Sequence, residues 1–167
     1  VSGSEPGQLA AVARLMEQLG FPKAAEKVLG QYADMSTDGV IARAEFLGRQ
    51  KRVDEAFELL ESRWSDLPLE RLLTTAVQVA RVQDDPAEVV QRLDRWFTKA
   101  RRIDPGSIVI MLLEGERASL AGRPGDAEQI YRDLMSRSDL DATQRAIVSN
   151  NLAFHLAKPG SVDEAKK

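Results

Sequence analysis

His155 is the only histidine of the 167-residue chain, and an imidazole is the side chain best suited to proton transfer or metal ligation near neutral pH. It lacks the company such chemistry needs. There is no cysteine and no second histidine, and no carboxylates recur around it at metal-ligand spacing. A packing role is expected. Two acidic pairs invite an acid–base reading. Glu114 and Glu116 fall on different faces of a helix, however, and Asp84 with Asp85 stand where turn and cap chemistry uses Asp. Gly115, Gly122 and Gly125 have neither the spacing nor the Lys-Ser/Thr ending of a phosphate-binding loop. The sequence thus offers no catalytic set, and neither a cofactor nor a metal is expected.

What remains is recognition chemistry. The side-chain amide of Asn151, next to Asn150, can pair with both N–H and C=O of an extended peptide. The plainer alternative is that both asparagines bridge neighbouring helices or face water. Composition narrows the partner. Net charge is −3, with an isoelectric point near 5.3, so there is no cationic excess to neutralise a run of phosphates, and nucleic acid is not an expected partner. The longest apolar run, Ile108 to Leu113, is far too short to cross a bilayer, so membrane insertion is not expected either. Absence of cysteine does not by itself fix a compartment.

The elements that must position these groups are helices. Aromatic residues are only 5% of the chain, and Ala and Leu recur where a sheet protein would show β-branched and aromatic residues. The order is repetitive. The segments Gly20-Phe-Pro-Lys-Ala-Ala25, Lys51-Arg-Val-Asp-Glu-Ala56, Asp84-Asp-Pro-Ala-Glu-Val89, Gly122-Arg-Pro-Gly-Asp-Ala127 and Gly160-Ser-Val-Asp-Glu-Ala165 each place a turn-type or charged residue five positions before a small apolar anchor. Twelve positions before the anchors stand Ala13, Ala44, Val77, Gly115 and Ala153; four positions after the first four stand Leu29, Leu60, Leu93 and Tyr131. A small side chain lets a neighbouring helix come close, and a large one a turn later fills the next groove on the same face. Caps agree with this periodicity. Asp85-Pro86-Ala87-Glu88, Asp141-Ala-Thr-Gln144 and Ser161-Val-Asp-Glu164 are start signals; Gly20, Asp104-Pro105-Gly106 and Pro159-Gly160 are stops. First helices are predicted near 7–19, 37–49, 68–82, 107–121 and 142–157. Second helices are predicted near 22–34, 53–65, 86–103 and 124–137, with a last one from Ser161. Trp64, Trp96, Phe97 and Tyr131 fall on second helices as packing residues.

These residues resemble the tetratricopeptide repeat, a helix–turn–helix unit with a small residue at its eighth position and Ala at its twentieth. Asn150-Asn-Leu-Ala-Phe-His-Leu-Ala157 with Gly160 and Asp163-Glu-Ala165 matches best, followed by Arg123 to Tyr131 and Arg52 to Leu60. The resemblance implies an all-α, right-handed α-α superhelix (solenoid) of about four helical hairpins plus a partial fifth. It would form one domain over 1–167, with repeats near 6–36, 37–67, 68–106, 107–141 and 142–167. Two departures stand out. Repeat three has Val89 at the anchor and a longer second helix, and repeat four has Glu114 where a large apolar residue is usual.

In such repeats the first helices line a concave groove, and contacts come from the second, fifth, sixth, ninth, twelfth and thirteenth positions. Carried over position by position, the resemblance implies partner contacts from Arg14, Glu17, Gln18, Asp38, Glu45, Arg49, Arg81, Glu116, Asn150, Asn151, Phe154 and Lys158. The expected function is a scaffold that binds a peptide or a helix of a partner protein. A structural or regulatory segment of a larger multidomain chain is the alternative. RNA-reading helical repeats stack similar hairpins, but the acidic balance and the lack of a repeated base-reading pair argue against that reading. The chain starts Val1-Ser-Gly-Ser without an initiator Met, and after Ala165 only Lys166 and Lys167 remain. It is therefore expected to be a fragment of a longer repeat protein whose uncovered C-terminal repeat self-associates.

Overall fold

The structure, a computed structural model, describes residues 6–157. Ten helices account for the ordered elements among them: α1 (Pro6–Gln18), α2 (Pro22–Met35), α3 (Thr37–Arg49), α4 (Val53–Ser62), α5 (Leu69–Arg81), α6 (Pro86–Gln91), α7 (Asp94–Ile103), α8 (Ile108–Leu120), α9 (Pro124–Met135) and α10 (Ala142–Leu156). The chain divides into two compact units, Val1–Asp84 and Asp85–Lys167.

Several helices begin and end for a local reason. Pro22, Pro86 and Pro124 open helices where a missing N–H costs nothing. Ser36, Asp85 and Ser107 accept the amides of Gly39, Glu88 and Ile110 at 3.0, 3.2 and 3.2 Å. At α10 a reciprocal box forms, with the Gln144 amide on Asp141 at 2.7 Å and the Asp141 amide on Gln144 at 3.0 Å. Three turns share one stop. Gly20 (φ 81°), Lys51 (φ 63°) and Gly122 (φ 70°) are left-handed. In each turn the next residue's amide reaches five residues back, Phe21 to Met16, Arg52 to Leu47 and Arg123 to Ala118, at 2.8 to 2.9 Å. This is the Schellman closure.

In the first unit α1 packs on α2 and α2 on α3, while α5 packs against both α3 and α4. Ala25, Ala44, Ala56 and Val77 are fully enclosed, with Leu29 and Leu60 filling the turn beyond the anchors. Burying each such leucine contributes roughly 1.5–3 kcal/mol. In the second unit α8 packs on α9 and α9 on α10. Tyr131, Leu134, Leu140 and Val148 form the core there, with Met111, Ile130 and Leu152 packed against it. Gly115 is small of necessity: a Cβ there would meet the Tyr131 ring at 2.6 Å.

Three expectations need correction. The second helix of repeat three is not continuous over 86–103 but bends at Arg92 and Leu93, whose amides bond three residues back to Val89 and Val90 at 3.1 and 3.0 Å. That tighter winding sets Val90 in line with Leu93. Val90, not Val89, is accordingly the enclosed anchor, and it shares a face with Leu93, Phe97 and Ala100. The second helix of repeat two ends at Ser62, so Trp64 lies in the following turn, half-buried. The helix expected from Ser161, and with it Ala165, lies outside the described residues.

Candidate functional site

The first unit carries a depression of about 410 Å³ between α1 and α3. Its floor is Ala10, Ala11, Ala13, Leu29 and Ala42, and its rim is Arg14, Glu45 and Arg49. The alanines make the hollow, because their methyl groups leave open the space that longer side chains would fill between α1 and α3. A second depression of about 220 Å³ continues between α3 and α5 and shares Glu45 and Arg49 with the first, adding Gln78, Val79 and Val82. The two run along successive first helices, so one short groove serves α1, α3 and α5.

Charge pairs hold its rim in place. Arg49 donates to both carboxylate oxygens of Glu17, from Nη2 at 2.8 Å and from Nε at 3.2 Å, and the Gln50 amide adds a bond at 3.0 Å. Burial pushes the Glu17 carboxyl upward, but the bonds and charge of Arg49, with Gln50 and Arg14, outweigh it and hold the group below the usual carboxylate range. The pair ties α1 to α3 at the groove wall. Asp38, at the start of α3, pairs with Arg71 of α5 at 2.6 Å. Arg81 lies at the end of α5, with Nη1 3.3 Å from the Gln78 amide oxygen.

The carried-over positions therefore separate. Arg14, Glu17, Glu45 and Arg49 come together at one place. Gln18 is exposed on α1, and Asp38 and Arg81 mark the two ends of their helices. In the second unit Glu116 is half-buried on α8, while Asn150, Asn151 and Phe154 lie on α10. Asn150 and Phe154 are exposed and Asn151 is half-buried. Lys158 lies outside the described residues. On α10 the side chains of Ile147, Phe154 and Leu156 are exposed, whereas His155 is buried and stacked on Tyr131 at 5.6 Å between ring centroids. The imidazole is a packing group.

Two further residues of repeat three share the carried-over register, and one of them, Gln78, lines the second depression. With Val77 at the eighth position of its repeat, Arg71 is the second and Gln78 the ninth, the same register that selected Arg81. Glu114, a departure from the repeat pattern, is buried on α8 and accepts from Arg101 of α7 through both carboxylate oxygens. That bond raises the Arg101 pKa above its ordinary value. An acidic residue at an apolar position is explained by its partner.

No protein-family model matches the sequence, and no curated protein matches it significantly. Among solved structures, the chain is similar to a thermophilic TPR protein of Thermus thermophilus, with a TM-score of 0.57 and 17% identity over 96% of this chain and 86% of the other. At that identity the likeness is one of fold. The chain has an all-α helical-repeat fold of tetratricopeptide type.

Proposed function

We propose that the chain is a scaffold that takes a segment of a partner protein, extended or helical, into the groove along α1, α3 and α5. The observation that carries this reading is the Ala-floored depression whose rim sets Arg14, Glu45 and Arg49 around an apolar hollow. Such a hollow accepts an apolar side chain, and the rim of mixed sign orients the polar groups beside it. Cations at Arg14 and Arg49 beside Glu45 favour a segment that carries both signs around its apolar anchor. The carried-over residues of the second unit, Glu116, Asn150, Asn151 and Phe154, are proposed as further contacts of the same kind.

The test uses a photocrosslinking residue at Ala42, on the groove floor, compared with one at the exposed Glu58 of α4. The Ala42 position is expected to capture a partner polypeptide that the Glu58 position does not. Capture should fall at least about tenfold in an Arg14→Glu/Arg49→Glu variant, the loss that follows from removing one charge-assisted contact. Undiminished capture by a variant shown by circular dichroism to be folded would remove the groove from the mechanism.

A further inference from the structure

We propose that the second unit carries a separate anion site, a pocket that binds a phosphate monoester. The pocket, about 600 Å³, lies between α7 and α8 and the turn that follows α8. Four guanidinium groups line it, from Arg101, Arg102, Arg117 and Arg123, against only two carboxylates, Asp94 and Glu114. Both carboxylates are committed. Glu114 is held by Arg101, and Asp94 by Arg117. Arg102 has no counter-ion among the described residues, and Arg123 reaches only the exposed Asp126 at 3.4 Å. The lining therefore lacks about two negative charges.

The deepest of the four shows the same deficit. The Arg117 side chain is only 17% exposed, it lies over the Phe97 ring at 5.1 Å, and its buried Nε–H finds no acceptor. Desolvation, together with the neighbouring Arg123 and Arg101, pushes its pKa down despite Asp94 and Glu114. A guanidinium in that state is stabilised by an anion with several acceptor oxygens. A carboxylate would supply one charge. A phosphate monoester supplies about 1.5 to 2 at neutral pH and three acceptor oxygens, which matches the deficit. The mixture of a stacked arginine at the base and exposed arginines at the mouth gives the anion both a seat and a route in.

This pocket is not part of the groove. With Gly115 at the eighth position of its repeat, Glu114, Arg117 and Arg123 occupy the seventh, tenth and sixteenth, none of which is a groove position. The inference stands whether or not the groove binds a peptide.

The experiment follows the arginine Nε–H resonances of the full ¹⁵N-labelled chain during titration with inorganic phosphate, a phosphoserine peptide, the same peptide unphosphorylated, and acetate. The expected result is a saturable shift of the Arg117 resonance with the phosphate probes and none with acetate or the unphosphorylated peptide. Arg102→Gln and Arg123→Gln, both at exposed positions, should each weaken binding about tenfold without changing the thermal melt. A phosphopeptide bound tenfold more tightly than inorganic phosphate identifies a phosphorylated polypeptide as the source; equal affinities identify a free phosphate group. Absence of saturation up to about 10 mM phosphate, an equal response to acetate, or undiminished binding by a chain carrying both Arg102→Gln and Arg123→Gln overturns the site.

Discussion

Gly115→Ala tests how tightly the second unit is packed. The added Cβ would lie 2.6 Å from Cε1 and Cζ of Tyr131 and 2.9 Å from its hydroxyl, where carbon atoms ordinarily rest about 3.5–4.0 Å apart. The ring would have to retreat by about 1 Å. It has little room, since it is 2% exposed and the ring stacks on His155. Overpacking of this kind costs about 1–3 kcal/mol, and a boxed ring belongs in the upper half of that range. Replacing Gly by Ala inside a helix contributes about 1 kcal/mol in the opposite direction, so the net expectation is a loss of about 1–2 kcal/mol. Gly30→Ala is the control within the same chain. It lies inside α2 and its added Cβ meets nothing within 4 Å, so it should gain up to about 1 kcal/mol. Urea denaturation of both variants, with hydrogen exchange of α8 and α9 to locate the loss, measures the difference. Tyr131→Leu in the Gly115→Ala background should recover part of the destabilisation through a coupling term. A Gly115→Ala protein that gains as much as Gly30→Ala would refute the close-packing argument.

Two further outcomes follow from the charge pairs. Arg101→Ala leaves the buried Glu114 carboxylate unmatched and should cost roughly 2–3 kcal/mol in urea, below the usual figure for a buried pair because Arg101 itself faces water; Glu114→Gln in the same background should restore part of that loss, and a neutral effect of Arg101→Ala would show that the pair does not bear on stability. Glu17, whose folded pKa is depressed, contributes stability that is complete above its unfolded value of about 4.3 and is lost as pH falls through the folded value. The urea midpoints of wild type and Glu17→Gln should therefore differ at pH 7 and converge below about pH 4, and a gap that stays constant into acid would contradict the assignment.

The parts of the fold that were legible are those fixed by neighbours in sequence. Asp141 and Gln144 announced the start of α10 because a capping box needs only four residues. Ala25, Ala56 and Ala127 announced the hairpins because a close approach of helices needs a small side chain wherever it occurs. The bend at Arg92 and Leu93 was not legible: Val89 and Val90 are equally apolar, and only packing on α8 decides which of them turns inward. Glu114 looked anomalous because its partner, Arg101, lies on another helix. The arginine pocket was hidden for the same reason, since Arg102, Arg117 and Arg123 are scattered along the chain until α7 meets α8. Within the groove, Arg14, Glu45 and Arg49 followed from register, whereas the hollow itself arises from what the alanines leave unfilled.

Lys51 occupies the left-handed stop that glycine fills at the equivalent turns, a conformation that costs an L-residue roughly 1–2 kcal/mol. Its ammonium group donates to the Val82 carbonyl at 2.7 Å and to Asp84 at 2.6 Å, beyond the end of α5. A glycine would ease the turn but could send no such arm to the next hairpin. The residue thus exchanges ease within one repeat for linkage between two, and in a stacked array that linkage sets cooperativity. Fraying at the end of α5 therefore takes both partners from Lys51, so the left-handed turn between α3 and α4 loses this link to the next hairpin while keeping its own backbone closure.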